Sequence, residues 1–519
     1  MPEIRWNLLT DEIFTIVHAG DSAHAVSLPD VLAMLSSDIP IEFAALQPHQ
    51  FHAWHAFLVQ LGAIVVHSVG GDALPSAADD WRSRLLEVAG GDDPWCLVTD
   101  DLDHPAFMQP PVPERSLKGW SDPVSFPDEL DVLVTAKNHD LKSNRMTAPR
   151  PEHWAYSLVT LQTSGGFDGR MNYGVARMNG GYGNRPSIAA ARDPGWSTRF
   201  IRDVAVLLSC RAKLIEEGHF GYTADGGHRL IWTLPWDGSL ESQLALPECD
   251  PFFIEVCRRI RLIADPDGSI VGRRKGSAAE RIATKDLHGN VGDIWVPIRL
   301  SDGAALTARD LSYKLVQEII FSGDWLHSAA SEPYGEDGPS PLLLATAMVR
   351  GQGKTDGLYE RQIRVPAKAR ALLATGAGRE RLGQRSREFV TLTSDIQTKV
   401  LKRALLTLIQ GGPDRLDLTD DRCKPLLTRL DSLVDTIFFD RLFDLAEADA
   451  GTASARWSAE VIDLARGILA EGIDGLPIPE ARRPRAIALA ELRFNWSARD
   501  ILGRYQPTGE QPSHERSDH

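Results

Sequence analysis

Cysteine is scarce in this chain: five in 519 residues (Cys96, Cys210, Cys249, Cys257 and Cys423), with no CxxC pair. Such scattered thiols encode neither a disulfide framework nor a zinc ribbon, and they suit a reducing compartment. Long apolar runs are missing as well. No stretch approaches the ~20 residues that span a bilayer, and Met1 to Leu9 has no basic-then-apolar signal, so the expected location is the cytoplasm. Basic charge is also short, with 56 Lys and Arg against 71 Asp and Glu and a net charge of −15. A free-standing DNA binder usually turns a basic surface to the phosphates, and the total argues against one. No internal repeat is present.

What remains is an ordinary globular composition, 43% hydrophobic and 24% charged, with 13 Trp as large buried anchors. The length exceeds one ordinary core and predicts two or three domains. The basic residues are also segregated. Lys137 to Arg202 holds 10 basic and 4 acidic residues, Arg258 to Lys285 holds 8 and 3, and Arg350 to Arg403 holds 13 and 5. Local basic patches on an acidic body are therefore permitted, although loops scattered in space would give the same counts.

Residues 1–365 are rich in Gly, Pro and Trp, with short apolar runs such as Phe14 to Val17 and Asp293 to Ile298. They read as a mixed α/β domain with long loops. One early helix is expected over Pro48 to Leu61, with Phe51, His55, Leu58 and Val59 at helical spacing. The Pro- and Asp-rich stretch from Trp81 to Pro127 reads as irregular. Over residues 366–505 the texture becomes helical. Ile396, Val400, Ala404 and Leu408 line one stripe, stopped by Gly411-Gly412-Pro413. Further stripes are Leu426, Leu430, Leu433, Ile437 and Phe438; then Val461, Leu464, Ala465 and Ile468; then Ile487, Ala490, Leu492 and Phe494. The expected fold class is α+β: a large mixed N-terminal domain followed by a C-terminal antiparallel four-helix bundle. Residues 506–519 are polar and expected to be disordered.

Several segments could carry chemistry. Gly351 to Thr355 ends like a phosphate loop, but the Gly that the motif needs is Met348 and no helix is signalled afterwards. Two strands, Leu342 to Val349 and Leu358 to Val365, joined by a turn exposing Gln352 and Lys354, fit better. Lys137 to Arg145 follows the apolar run Asp131 to Val134. Its Lys137, Asn138, Lys142 and Arg145 suit phosphates or base edges better than His139 and Asp140 suit a metal-dependent nuclease. The Gly-rich runs Gly165 to Arg170 and Gly180 to Arg185 flank Arg177 and read either as turns or as backbone that approaches a ligand. Arg273-Arg274-Lys275-Gly276 reads as a basic loop tip.

The order of these features resembles the CasA family, the large subunits of type I-E Cascade CRISPR complexes. It runs from Trp6 to Asp11 and Val26-Ser27-Leu28 through the helix around Trp54 and His104-Pro105-Ala106-Phe107-Met108-Gln109. The Gly-Phe-x-Gly of Gly166 to Gly169, the Leu342 to Val365 hairpin and a terminal bundle complete it. The resemblance implies a non-enzymatic subunit of a crRNA-bearing assembly, without cofactor or metal. Such a subunit reads the protospacer-adjacent motif (PAM) on duplex DNA, opens the duplex and docks a helicase-nuclease. It implies DNA contacts from the Val134 to Lys142 loop (Lys137, Asn138, Lys142) and from a lysine finger at Lys275 with Arg273 and Arg274 as substitutes. It also implies a wedge at Gln352 and Gly353 beside Lys354. Sequence reading would then be delegated to RNA–DNA pairing. The chain departs from the family at Glu152 to Ser157, where relatives are Gly-rich, and in retaining only Cys249 and Cys257 before the finger. A nuclease using His139 and Asp140, or a scaffold without DNA contact, are the alternative readings.

Overall fold

The computed structural model describes residues 5–504 except 19–21, 72, 122, 131–145, 182, 184, 266, 308–309, 334–340, 352–353, 413–414 and 479; for 350–351 and 354–356 it describes the backbone alone. The fold is α+β. The chain divides into two compact units: Met1–Leu311 with Gly323–Ile363, and Ser312–Ser322 with Arg364–His519.

The first unit opens with strands β1 (Phe14–His18) and β2 (His24–Val26), helix α1 (Leu28–Ser36) and strand β3 (Ile41–Phe43). The strands form an antiparallel sheet in the order β2-β1-β3. Ser27 starts α1 through a capping box with Asp30, which satisfies two otherwise orphaned backbone donors. A 3₁₀ turn over Pro48–Gln50 then leads into α2 (Phe51–Ser68). The expected stripe understates this helix: every residue from His52 to Val66 is buried, so it has no polar face and forms the unit's axis. Trp54 packs against Phe14, Phe57 and Tyr156, the last at 4.9 Å between ring centroids.

The stretch read as irregular in fact opens with α3 (Ala78–Ala89), whose first turn holds Asp79 and Asp80 and which ends on Gly90 at φ 73°. Next come α4 (Pro151–Ser164), β4 (Ser187–Ala191) and α5 (Trp196–Glu217). Helix α5 lies close on α2 because Gly62 has no side chain; a Cβ there would stand 2.8 Å from Val204.

The rest of the unit is a set of short sheets, none wider than three strands among the described residues. Strands β5 (His228–Leu230) and β7 (Cys249–Ile254) pair in parallel, as do β6 (Leu244–Ala245) and β10 (Ile282–Ala283). Strands β8 (Arg259–Ala264) and β9 (Ile270–Lys275) form an antiparallel hairpin. Strand β11 (Ile298–Arg299) precedes helix α6 (Tyr313–Phe321) and pairs with β12 (Trp325–Leu326), so the Asp293 to Ile298 run joins a strand only at its end. The expected late hairpin is present as β13 (Leu342–Gly351) and β14 (Lys354–Arg364), with β13 between β14 and β4.

The second unit is helical. It takes α6 from between β11 and β12, then α7 (Ala367–Leu373), α8 (Gly376–Asp395), a π turn over Ile396–Leu401, and α9 (Lys402–Gln410). Helices α10 (Lys424–Asp444), α11 (Ala450–Gly475) and α12 (Arg483–Gly503) complete it. Ile396, Val400, Ala404 and Leu408 are all fully buried, and Gly411 at φ 76° ends α9. Trp457 stacks on Phe389 at 4.7 Å in the centre.

Two expected stripes are shifted. In α10 the buried line runs Leu430, Val434, Phe438 and Leu442, with Leu426, Leu433 and Ile437 only half-buried at its edge. In α12 Ala490 and Phe494 are buried, but Leu492 is 56% exposed. Two residues on from Ala490 at 3.6 per turn, Leu492 sits on the opposite side of the helix.

Candidate nucleic-acid interface

The basic run Arg273-Arg274-Lys275 is not a loop tip. It is the outgoing half of β9, and the turn of the hairpin is Asp265 to Ser269, with Gly268 at φ 87°. Strand alternation therefore splits the run between two faces. Arg273 stands opposite Arg261 and Lys275 opposite Arg259, while Arg274 stands opposite Ile260. Arg261 is buried and donates to the carbonyls of His104 and Asp101, each at 3.0 Å, and to Thr99. Burial pushes its guanidinium down to about 10, with Asp101 and Asp93 opposing.

Glu114 is shared by the two cations at the end of this face. Arg259 donates to it at 2.8 Å and Lys275 at 3.2 Å. Partial burial works the other way, yet these donors hold the Glu114 carboxyl below its usual range. Arg259 also lies over the Trp120 ring, 5.1 Å from its centroid. Lys275 thus starts from a partly exposed ion pair, the kind that contributes little and can be exchanged. Arg273 donates to the Ser121 carbonyl at 2.8 Å, and exposed Arg274 reaches the Glu129 carbonyl at 3.5 Å.

On the edge of β9 away from β8, Ser121 N–H donates to the Arg274 carbonyl at 2.8 Å, and Val124 and Gly272 exchange both backbone bonds at 2.8 Å. The segment 131–145 leaves directly after this edge, at Leu130. It returns at Met146, whose N–H reaches the Asp128 carboxylate at 3.5 Å. Lys137, Asn138, Lys142 and Arg145, and likewise His139 and Asp140, lie outside the described residues.

The first Gly-rich run adjoins the far end of β9. Gly166 and Phe167 donate to the carbonyls of Gly183 and Gly181, and a Cβ on Gly166 would stand within 2.9 Å of both oxygens, so only glycine fits. Arg258 donates to the Gly166 carbonyl at 2.7 Å. The loop tip then returns to β9: Ser277 donates to the Met171 carbonyl at 3.0 Å and Tyr173 to Ala278. Arg170 at that tip is exposed, with no hydrogen-bond or ion-pair partner among the described residues. On its other side Gly183 bridges Val349 near the end of β13. Gln352 and Gly353 lie outside the described residues, as does the side chain of Lys354, at the start of β14. The hairpin that contains them is contiguous, through Gly183 and the Gly166 loop, with the end of β9.

Arg177, read as a charge for a ligand, is unavailable to one. It is buried, donates to Glu255 at 2.8 Å and to the Phe253 carbonyl, and lies 3.8 Å over the Phe253 ring. Burial disfavours its charge, but Glu255 and Asp293 more than compensate and keep it ionised. Arg185 is likewise buried, against Asp293 at 3.0 Å. The sequence reading missed the clamp of Glu114, Ser121 and Trp120, because these residues are remote in sequence from β9 and carry no motif. Arg258 and Arg259 were visible only as part of a basic count.

No described helix is long and apolar enough to cross a membrane. No protein-family model matches the chain, and no curated protein matches it. Solved structures do. The Cse1 crystal structure from Acidimicrobium ferrooxidans is 15% identical with a TM-score of 0.63, over 98% of this chain and 100% of that one. Thermobifida fusca Cse1 is 14% identical with a TM-score of 0.63, over 96% and 98%. A chain of a CRISPR RNA-guided surveillance complex is 12% identical with a TM-score of 0.57, over 95% and 100%. Over nearly its whole length, this chain has the fold of the Cse1/CasA proteins.

Proposed function

We propose that the chain is a member of the CasA family and serves as the large subunit of a crRNA-guided Cascade complex. In that role it checks the PAM on duplex DNA, starts R-loop formation and offers a docking surface to a helicase-nuclease. The observation that carries this reading is contiguity. The strand bearing Arg273, Arg274 and Lys275, the two anchors of the 131–145 segment and the Gly166 loop touch in series, and the loop in turn touches the Gln352 hairpin. In this reading a small set of cationic and amide-bearing residues from distant parts of the sequence acts together on an acidic body. That suits a protein that need only verify a short duplex element and tip a nearly balanced strand exchange.

In this reading Lys275 exchanges Glu114 for the duplex, and Arg274, with Lys137 and Lys142 from the neighbouring segment, contacts phosphates. Gln352 and Gly353 wedge between base steps, a few kcal/mol of unstacking being offset by backbone contacts. The protein itself carries out no chemistry. The test is reconstitution: the chain is added to a crRNA complex lacking its large subunit, and binding to PAM-bearing and PAM-less duplexes is compared. Restored binding that the Arg274→Ala, Lys275→Ala pair weakens more on PAM-bearing than on PAM-less DNA supports the proposal. Equal loss on both duplexes demotes the two residues to phosphate contacts. Restored assembly without any DNA crosslink near the PAM would make the chain a scaffold.

A further inference from the structure

The second unit has an open cleft of about 760 Å³ lined by α9, by Gly412, Leu416 and Leu418, and by α12. Its apolar lining includes Leu416, Leu418 and Leu489, and its rim presents two large apolar side chains to solvent, Leu492 at 56% and Trp496 at 75% exposure. Trp496 is an expensive side chain to leave in water, and here it stands beside other apolar groups rather than alone.

The charged lining is of one sign. Among the described residues, Arg403, Arg485 and Arg493 line the cleft and no acidic residue does. The Arg493 guanidinium is held in place by the Thr407 hydroxyl at 2.9 Å. Those of Arg403 and Arg485 have no hydrogen-bond or ion-pair partner among the described residues. Elsewhere in the same unit Arg387, Arg422 and Arg441 are paired with Glu380, Asp420 and Glu460. On a chain of net charge −15, an apolar cleft lined by three arginines, none of them in an ion pair among the described residues, is complementary to a ligand with an apolar centre and acidic flanks.

We propose that this cleft docks an acidic amphipathic segment of a partner protein, a short helix with one or two large apolar anchors bordered by Asp or Glu. The anchors enter beside Leu489 and Leu492, Trp496 closes over them, and the carboxylates meet the arginines. A single-stranded nucleic acid fits less well. Bases need flat aromatic platforms, whereas this lining is branched aliphatic with one aromatic side chain at its edge.

The experiment uses the intact chain and fluorescence anisotropy of a labelled helical peptide with Leu anchors at i and i+4 between Glu residues. Two comparison probes are the same peptide with Lys in place of Glu, and single-stranded oligothymidylate. The acidic peptide is expected to bind tightest, Trp496→Ala to weaken it at least about tenfold, and Arg485→Glu to shift preference toward the Lys peptide. Far-ultraviolet circular dichroism and the melting temperature of both variants should match the parent, because both side chains are exposed. Equal binding of the two peptides, or no effect of Trp496→Ala, overturns the proposal. Tighter binding of the oligonucleotide overturns it in favour of a nucleic-acid surface. Self-association by sedimentation that Trp496→Ala abolishes overturns it in favour of a second copy of this chain.

Discussion

His52 shows how a single residue in the core ties stability to pH. It is fully enclosed, both ring nitrogens lack a hydrogen-bond partner, and its ring stands edge-on to Trp295. Burial, with Arg185, His55 and Arg199 nearby, lowers its pKa well below the ordinary value, so the folded state holds it neutral. The unfolded chain takes up that proton near pH 6.5, and the stability is present above this pH and lost as pH falls below it. The slope is at most about 1.4 kcal/mol per pH unit for this one group. His52→Phe should therefore reduce the fall in melting temperature between pH 7.5 and 5.5, as measured by thermal unfolding at both. Arg177 gives the opposite case. Arg177→Met strands Glu255 and should cost about 3–5 kcal/mol in chemical denaturation, with part recovered when Glu255→Leu is added. The His104 to Gln109 signature was legible as a family mark but not as a structural part. Gln109 is buried and joins three chain segments, donating to the Leu97 and Phe107 carbonyls and accepting from Leu262 N–H.

At the scale of elements, legibility followed periodicity. The line of Ile396 to Leu408 and the glycine that ends it were readable because one face is buried and the stop is local. Strand β9 was not, because Arg273 to Lys275 looks like solvated charge until the fold brings Glu114 and Ser121, remote in sequence, against it as partners. Helix α3 was hidden by its acidic first turn, which is itself a start signal. The same logic makes Gly412 testable. It holds φ 76°, and a Cβ there would stand 2.5 Å from Leu489 Cδ1. Gly412→Ala should cost about 1–2 kcal/mol from the left-handed backbone alone, and more from the clash. A lowered denaturation midpoint with unchanged slope would register it.

For the whole molecule, the proposed function and the acidic total together imply DNA binding that depends on assembly. The isolated chain should bind duplex DNA weakly, with affinity falling steeply as salt rises. Each phosphate contact contributes about −0.9 to the slope of log K against log salt, so removing Arg274 should flatten that slope by about 1. A salt titration of the reconstituted complex measures it. Division into a mixed unit and a helical unit was legible from texture, but the return of α6 to the helical unit was not. Nothing in Tyr313–Phe321 distinguishes it locally from the helices around it, and only packing decides, through Asp431 on Lys314 and Ser386 on Gln317.

The π turn at Ile396–Leu401 explains why that stripe repeats strictly every four residues. In a regular helix four residues overshoot a turn by about 40°, while a π turn, at roughly 4.4 residues, undershoots, so the drift cancels and all four side chains face inward. The long helix therefore carries one residue more than regular winding requires. Excising exposed Lys399 would turn the spacing from four-four-four into three-four-four, which an unbroken α-helix keeps on one side. This is the point in the helix where the polypeptide can be shortened and still close its ladder.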